Sequence, residues 1–252
     1  MRELFELTNQ KAIVTGAGGG IGRELAHALS EMGADVALVD INLASIQAVA
    51  EELRKYGREC TTHRTDVTHA KDVEQMVNEV LSRWRRIDIL VNCAGIAQHA
   101  PAEEMSEEDW DHVIDVNLKG VFLCCKAVAP SMIAHKRGKI INIASMSGII
   151  VNFPQPQCAY NASKAGVAML TKSLAAEWAK YNINVNSISP GYIATEMTKM
   201  VSQYHDVWKK LTPMQRLGEP SELKGAVVYL ASEASRLMTG HDLVIDAGYT
   251  LW

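Results

Sequence analysis

Only five of the 252 residues are cysteine, and they form neither a Cys-x-x-Cys pair nor a spacing suited to zinc. The number is odd and the chain is not small, which excludes a disulfide scaffold. Cys60, Cys93, Cys124, Cys125 and Cys158 read as reduced, mostly buried thiols. Cys158 lies close to Tyr160 and reads as an oxidisable position in a cleft, not as a nucleophile. Positive charge is not in excess: the formal net charge is −4, which removes a general nucleic-acid partner. The short basic run Arg83-Trp84-Arg85-Arg86 reads as the solvated end of a helix. No uninterrupted apolar run approaches the ~20 residues that span a bilayer. Met1 to Gln10 is charged and has no apolar centre, unlike a signal peptide. A cytoplasmic protein without a membrane or nucleic-acid partner is expected. No linker, low-complexity tract or internal repeat interrupts the chain, so residues 1–252 read as one domain.

What is present is an alternation. Short apolar runs, Ala12–Thr15, Val36–Asp40, Ile87–Asn92, Lys139–Ala144, Val185–Ser189 and Leu243–Ile245, read as strands. Cys60–Arg64 is a weaker, polar one. Between them lie helical segments: Gly20–Met32, Leu43–Tyr56, Ala70–Arg85, Glu107–His135, Ala159–Tyr181 and Pro220–Ser232. This order predicts an α/β fold with a parallel sheet covered on both faces. The segment from Gly191 to Met214 breaks the alternation and carries Met197, Met200, Tyr204, Trp208 and Met214. It follows the carboxyl end of a strand, where such sheets bind ligands, and is expected to be a mobile substrate lid with short helices of its own.

The first strand runs into Thr15-Gly16-Ala17-Gly18-Gly19-Gly20-Ile21-Gly22, a turn that opens a helix. Gly16, Gly20 and Gly22 let the backbone approach a pyrophosphate, and the helix start offers free N–H groups and a positive dipole end. Asp40 ends the second strand, where its carboxylate can accept from adenosine ribose hydroxyls and would repel a 2′-phosphate. Neither Gly18, Gly19 nor Ile41 supplies a cation, so NAD is expected in preference to NADP. Asp66 and Val67 follow the third strand and can flank an adenine. Asn92, Ala94 and Gly95 follow the fourth, where Gly95 lets the backbone pass close to a ribose.

Tyr160 and Lys164 are four residues apart on an expected helix and therefore share a face. A free phenol titrates near pH ~10, too high for a base at neutrality. A cation lowering it by ~2 pKa units supplies about 3 kcal/mol of the adjustment. A proton donor and acceptor beside a dinucleotide site suggests redox chemistry on a carbonyl or alcohol.

These residues together resemble the short-chain dehydrogenase/reductase family over essentially the whole chain. The motifs are Thr15 to Gly22, Asn92-Cys93-Ala94-Gly95, Asn117 in Asp115-Val116-Asn117-Leu118, Ser145, the Tyr160/Lys164 pair, and Pro190-Gly191 with Thr195 beyond. Cys93 stands where the family repeats an asparagine, and Ala247 replaces a glycine. The resemblance implies a Rossmann-type doubly wound sheet of about seven strands and a homotetramer, with Ala159–Ala179 as a subunit-contact helix. It implies Tyr160 as general acid or base, Lys164 as its cationic partner and ribose ligand, and Ser145 on the substrate oxygen. Asn117 is implied to hold a water in a proton relay, and the backbone of Pro190, Gly191 and Ile193, with the Thr195 hydroxyl, to orient the carboxamide.

Ser145 to Gln157 precedes Tyr160 and should form one wall of the cleft. Ser147, Asn152, Gln155 and Gln157, with His99 added, offer donors and acceptors for several hydroxyls. Ser-Met-Ser-Gly, Asn-x-Pro-Gln and the Gly-Tyr-Thr-Leu-Trp end resemble the polyol dehydrogenase branch. That implies interconversion of a secondary alcohol, a polyol, with its ketose, and a structural, non-catalytic Mg²⁺ at the Trp252 carboxylate. Two alternatives stand beside it: a reductase of acyl-thioesters or bulky hydrophobic ketones, and a non-catalytic NAD-binding regulator.

Overall fold

The protein is described by a computed structural model covering residues 2–252. Seven strands form one parallel sheet: β1 (Lys11–Thr15), β2 (Asp35–Asp40), β3 (Cys60–Arg64), β4 (Ile89–Asn92), β5 (Gly138–Ile143), β6 (Ile183–Pro190) and β7 (Asp242–Ile245), in the spatial order 3-2-1-4-5-6-7. The α/β, doubly wound expectation holds. The strand order reverses between β1 and β4, the kind of switch point at whose carboxyl end open α/β sheets bind ligands.

Strand side chains alternate between two cores. Val14, Leu38 and Ile141 face one core, shared with Leu25 and Leu29 of α1 (Gly20–Glu31), Ile46 and Val49 of α2 (Leu43–Leu53), and Val227 and Leu230 further on. Ile13, Val39 and Ile140 face the other, with Met76 and Val80 of α3 (Ala70–Trp84). Every residue of β4 and β5 is buried, as expected of strands covered on both faces.

The helix expected over Glu107–His135 runs unbroken through those residues, with a π turn in its middle. α4 (Glu107–Ile114) starts at Ser106, whose Oγ accepts from the Asp109 N–H at 3.0 Å, with Glu107, Glu108 and Asp109 on its positive end. A π turn, Asp115–Lys119, follows, and then α5 (Gly120–His135). The wider turn holds Asn117 and re-aims it, a common use of such bulges. By length and composition, Glu107–His135 is apolar enough to cross a membrane, but its Val121, Cys124, Cys125, Val128 and Met132 lie in the sheet's core.

α6 (Cys158–Trp178) carries Tyr160 and Lys164. The segment after β6 holds two short helices, α7 (Glu196–Lys199) and α8 (His205–Leu211), before α9 (Lys224–Ala231) returns to the core. Ala247 sits at φ 55°, where Cβ and backbone crowd each other. Ala247→Gly relieves that strain but loosens the unfolded chain. A net gain of about 0.5 kcal/mol in chemical denaturation is expected.

Candidate active site

The loops after β1, β4, β5 and β6 converge at the carboxyl edge of the sheet. Gly16 has φ +65°, and a Cβ on it would lie 2.7 Å from the Ala94 Cα, so the first and fourth loops pack backbone against backbone. The Thr15 Oγ1 fixes the same approach by accepting from the N–H groups of Cys93 at 3.1 Å and Ala94 at 3.3 Å. A Cβ on Gly22 would meet the Gly16 carbonyl at 2.1 Å, so α1 starts tight under the turn. Gly20 lies near Thr195, whose Cγ2 would be 3.5 Å from an added Cβ, and Gly19 faces open space. The result is a glycine-lined cradle at the start of α1, with Thr195 on its far side. It fits a dinucleotide pyrophosphate.

Asp40 stands at the adenosine end. Its Oδ2 accepts from the Gly18 N–H and its Oδ1 from the Asn42 N–H, both at 3.0 Å. Ile41 beside it is exposed. Asp66 sits after β3, where hydrogen bonds from Thr68 hold its carboxyl below the usual range although burial works the other way. Val67 is buried behind it against Gly120. Gly191 closes on Asp246, and the segment Tyr192–Ala194 is held by main-chain bonds to Gly218, which places Pro190, Ile193 and Thr195 along one side of the mouth.

Lys164 is buried, and its Nζ donates to the Ile143 carbonyl at 2.8 Å while lying 5.6 Å from the centre of the Tyr160 ring. Burial pulls its pKa down to about 8, so it remains largely charged at neutral pH. A Cβ on Gly95 would be 3.5 Å from Lys164 Nζ, which places the fourth loop beside the ammonium. The phenol of Tyr160 behaves differently from the simple expectation. Burial pushes its pKa up, and the Ser145 hydroxyl counters by hydrogen bonding. Desolvation of the phenol outweighs the help it receives from Ser145. Tyr160, Lys164 and Ser145 are nonetheless brought together as the sequence implied.

Asn117 is a clamp. Its Oδ1 accepts from the Ile96 N–H at 2.8 Å, and its Nδ2 donates to the Ile96 carbonyl at 2.9 Å and to Ser163 Oγ at 3.0 Å. Ser163 in turn donates to the Tyr160 carbonyl at 2.7 Å. The side chain thus joins the fourth loop to α6 and leaves only the Asn117 main chain for a relay. Of Asn92, only the main chain is left to face the cofactor site: its side chain is buried and donates to Asn142 Oδ1 at 2.8 Å and Cys125 Sγ at 3.3 Å. It ties β4 to β5 and α5, because alternation along β4 turns it away from the mouth.

The substrate wall is also wired differently from the expectation. Gln157 Nε2 has Ser147 Oγ, Asn152 Oδ1 and Asn161 Oδ1 as acceptors at 3.3, 3.0 and 2.9 Å, and its Oε1 accepts from His99 Nε2 at 3.2 Å. Asn152 and Gln155 both donate to the Tyr192 hydroxyl, at 3.1 and 2.9 Å. Trp208 of α8 donates to Gln155 Oε1 at 3.0 Å and stacks on Tyr192 with ring centres 3.9 Å apart. The amides expected to grip substrate therefore grip one another. Ser145 Oγ and Ser147 Oγ lie 3.0 Å apart and share one hydrogen bond, so one hydroxyl proton of the pair is left for a ligand. The expected segment has its short helices and is exposed along its length, Met200 by 78% and Met214 by 58%, while Trp208, 2% exposed, pins it to the body. Tyr192 and Asn161 were missed in sequence; a tyrosine directly after Pro-Gly was the only available signal. Tyr192→Phe leaves two buried amide donors unpaired and should cost about 2 kcal/mol in denaturation.

Among the described residues no group of three or more His, Cys, Asp or Glu could hold a metal, and Trp252 is exposed at the end of the chain. The Mg²⁺ expectation gains no companion ligands from this chain.

Comparison with known proteins agrees with the geometry. A family model described as enoyl-(acyl carrier protein) reductase matches residues 16–250. The chain is 45% identical over 256 residues to a galactitol 2-dehydrogenase of Rhizobium johnstonii, covering 100% of this chain and 99% of that one. It is 42% identical over 253 residues to an NADP-dependent mannitol dehydrogenase of Hypocrea jecorina, covering 98% and 95%. A crystal structure of a short-chain type dehydrogenase/reductase from Mycobacterium marinum superposes with a TM-score of 0.97 at 42% identity, covering 98% of each chain. A glycine cradle at the first strand, a Tyr160/Lys164/Ser145 cluster at the switch point, and relatives aligned end to end lead to one conclusion: this chain is an oxidoreductase that belongs to the short-chain dehydrogenase/reductase family.

Proposed function

We propose that the protein is an NAD-dependent polyol dehydrogenase, oxidising a secondary alcohol of a polyol to the ketose and running the reverse reaction. The observation that carries the substrate class is the wall from Ser145 to Gln157. Its polar side chains Ser145, Ser147, Asn152, Gln155 and Gln157 are buried and already oriented by hydrogen bonds. A rigid polar wall favours a hydroxylated ligand and penalises an acyl chain, because an apolar neighbour would leave the remaining donors unmatched. The one hydroxyl proton that the Ser145/Ser147 pair keeps and the second nitrogen of His99 are the groups left to meet substrate oxygens and hydroxyls. Burial lowers the His99 pKa, which keeps the ring neutral and able to accept.

In oxidation, the Tyr160 phenolate takes the hydroxyl proton while Ser145 holds the oxygen on which charge develops. When bound, NAD would supply the hydride acceptor for the carbon that carries that oxygen. Lys164 supports the phenolate and is placed to hold the nicotinamide ribose. Gly16, Gly18, Gly19, Gly20, Ile21 and Gly22 would line the pyrophosphate, and Asp40 the adenosine ribose, which favours NAD over NADP. Large apolar side chains exposed on α4, α5 and α6 (Trp110, Phe122 and Met169) support assembly into a homotetramer. Five unpaired thiols suit the reducing cytoplasm.

A spectrophotometric NAD-reduction screen across tetritols, pentitols and hexitols, with acetoacetyl thioester reduction alongside, tests this. Turnover of at least one polyol, well above that of the thioester, is expected. Efficient thioester reduction with no polyol turnover would replace the proposal by the ketone-reductase reading. Tight NAD binding with no turnover at all would favour a regulator.

A further inference from the structure

The adenosine end of the cradle contains a cation that the strand pattern did not reveal. Arg64 is the last residue of β3 and lies in register with Asp40, the last residue of β2. Neighbouring strands are about 4.8 Å apart, so the two residues leave the sheet side by side. Arg64 Nε donates to the Ile41 carbonyl at 3.3 Å, which lays the guanidinium along the residue that follows Asp40. The side chain is exposed, and among the described residues it joins no ion pair. Only Nε is engaged, so the terminal nitrogens keep their donors for a ligand. Asp40, by contrast, is already oriented by two N–H groups.

A ribose 2′-hydroxyl is a ligand for a carboxylate, and a 2′-phosphate is a ligand for a guanidinium. Both groups stand here at one edge. We propose that Arg64 determines the tolerance of this site for a 2′-phosphate. It offsets the repulsion from Asp40, so that NADP is weakened and not excluded, and it becomes the phosphate ligand once Asp40 is neutral. The proposal rests on the dinucleotide reading of the cradle and extends it to a residue outside the glycine turn and the second strand.

The test is calorimetric titration of adenosine 5′-monophosphate and adenosine 2′,5′-bisphosphate into the wild type, Arg64→Gln, Asp40→Ser and the double variant. Arg64→Gln should weaken the bisphosphate about tenfold and change the monophosphate by less than about twofold. Asp40→Ser should tighten the bisphosphate about tenfold or more, and the double variant should lose that gain. The bisphosphate affinity of Asp40→Ser should also fall with added salt, as expected of an exposed charge pair. Equal losses for both probes in Arg64→Gln would mean that Arg64 packs on the adenine, and would overturn the proposal. An unchanged bisphosphate affinity would overturn it as well. Failure of the wild type to bind either probe would instead sink the dinucleotide reading itself.

Discussion

Replacing Tyr160 by phenylalanine should lower kcat for polyol oxidation about a thousandfold while leaving NAD affinity nearly unchanged. The ring is retained, so the half-buried packing of α6 against the loop after β5 survives. What disappears is the single oxygen able to take the alcohol proton. Ser145 cannot replace it, because an aliphatic hydroxyl is far too weak an acid to be ionised near neutral pH and so cannot serve as the base. Stopped-flow turnover with a saturating polyol, together with fluorescence titration of the cofactor, separates the two effects. A variant that keeps wild-type turnover with intact cofactor binding would remove Tyr160 from the reaction.

Lys164→Met should have the next largest effect, a loss of about a hundredfold in kcat/KM with weaker cofactor binding. The methionine fills the same volume but removes the ammonium beside the Tyr160 ring and leaves the Ile143 carbonyl without its partner. That orphaned carbonyl should also cost about 1–3 kcal/mol in stability. Denaturation and kinetics together distinguish a charge effect from simple misfolding: the activity loss must persist well below the unfolding midpoint. Wild-type kcat/KM in a folded Lys164→Met protein would contradict the cation's assigned role.

How much of this was legible in advance depended on whether a signal was local. Periodicity placed the strands, and even the polar run Cys60–Arg64 is a strand with those bounds. The glycine turn, Asp40 and the Tyr160/Lys164 spacing are consequences of backbone reach and helical period, so they survived intact. The π turn inside Glu107–His135 had no local signature, because the helix continues through it without a break on either side. The partners of Asn92, Asn152, Gln155 and Gln157 were not legible either. An amide's chemistry allows many partners, and only the packing of β5, α8 and the loop after β6 decides among them. The same holds for Arg64, whose neighbour Ile41 is 23 positions away in sequence. The raised phenol of Tyr160 shows why a spacing argument gives the direction of one influence and not the balance: desolvation requires knowing what covers the group.

The pH dependence of kcat/KM for polyol oxidation, measured in the wild type and in Tyr160→Phe, tests the proton-transfer claim most directly. Oxidation needs the ionised phenol, and burial raises that pKa, so activity in the wild type should climb about tenfold per pH unit through the neutral range. Above about 8, where Lys164 gives up its proton, the climb should flatten as the supporting cation is lost. The residual activity of Tyr160→Phe should be flat over the same range. A wild-type profile independent of pH, or a variant that keeps the wild-type slope, would place the proton's acceptor somewhere other than Tyr160.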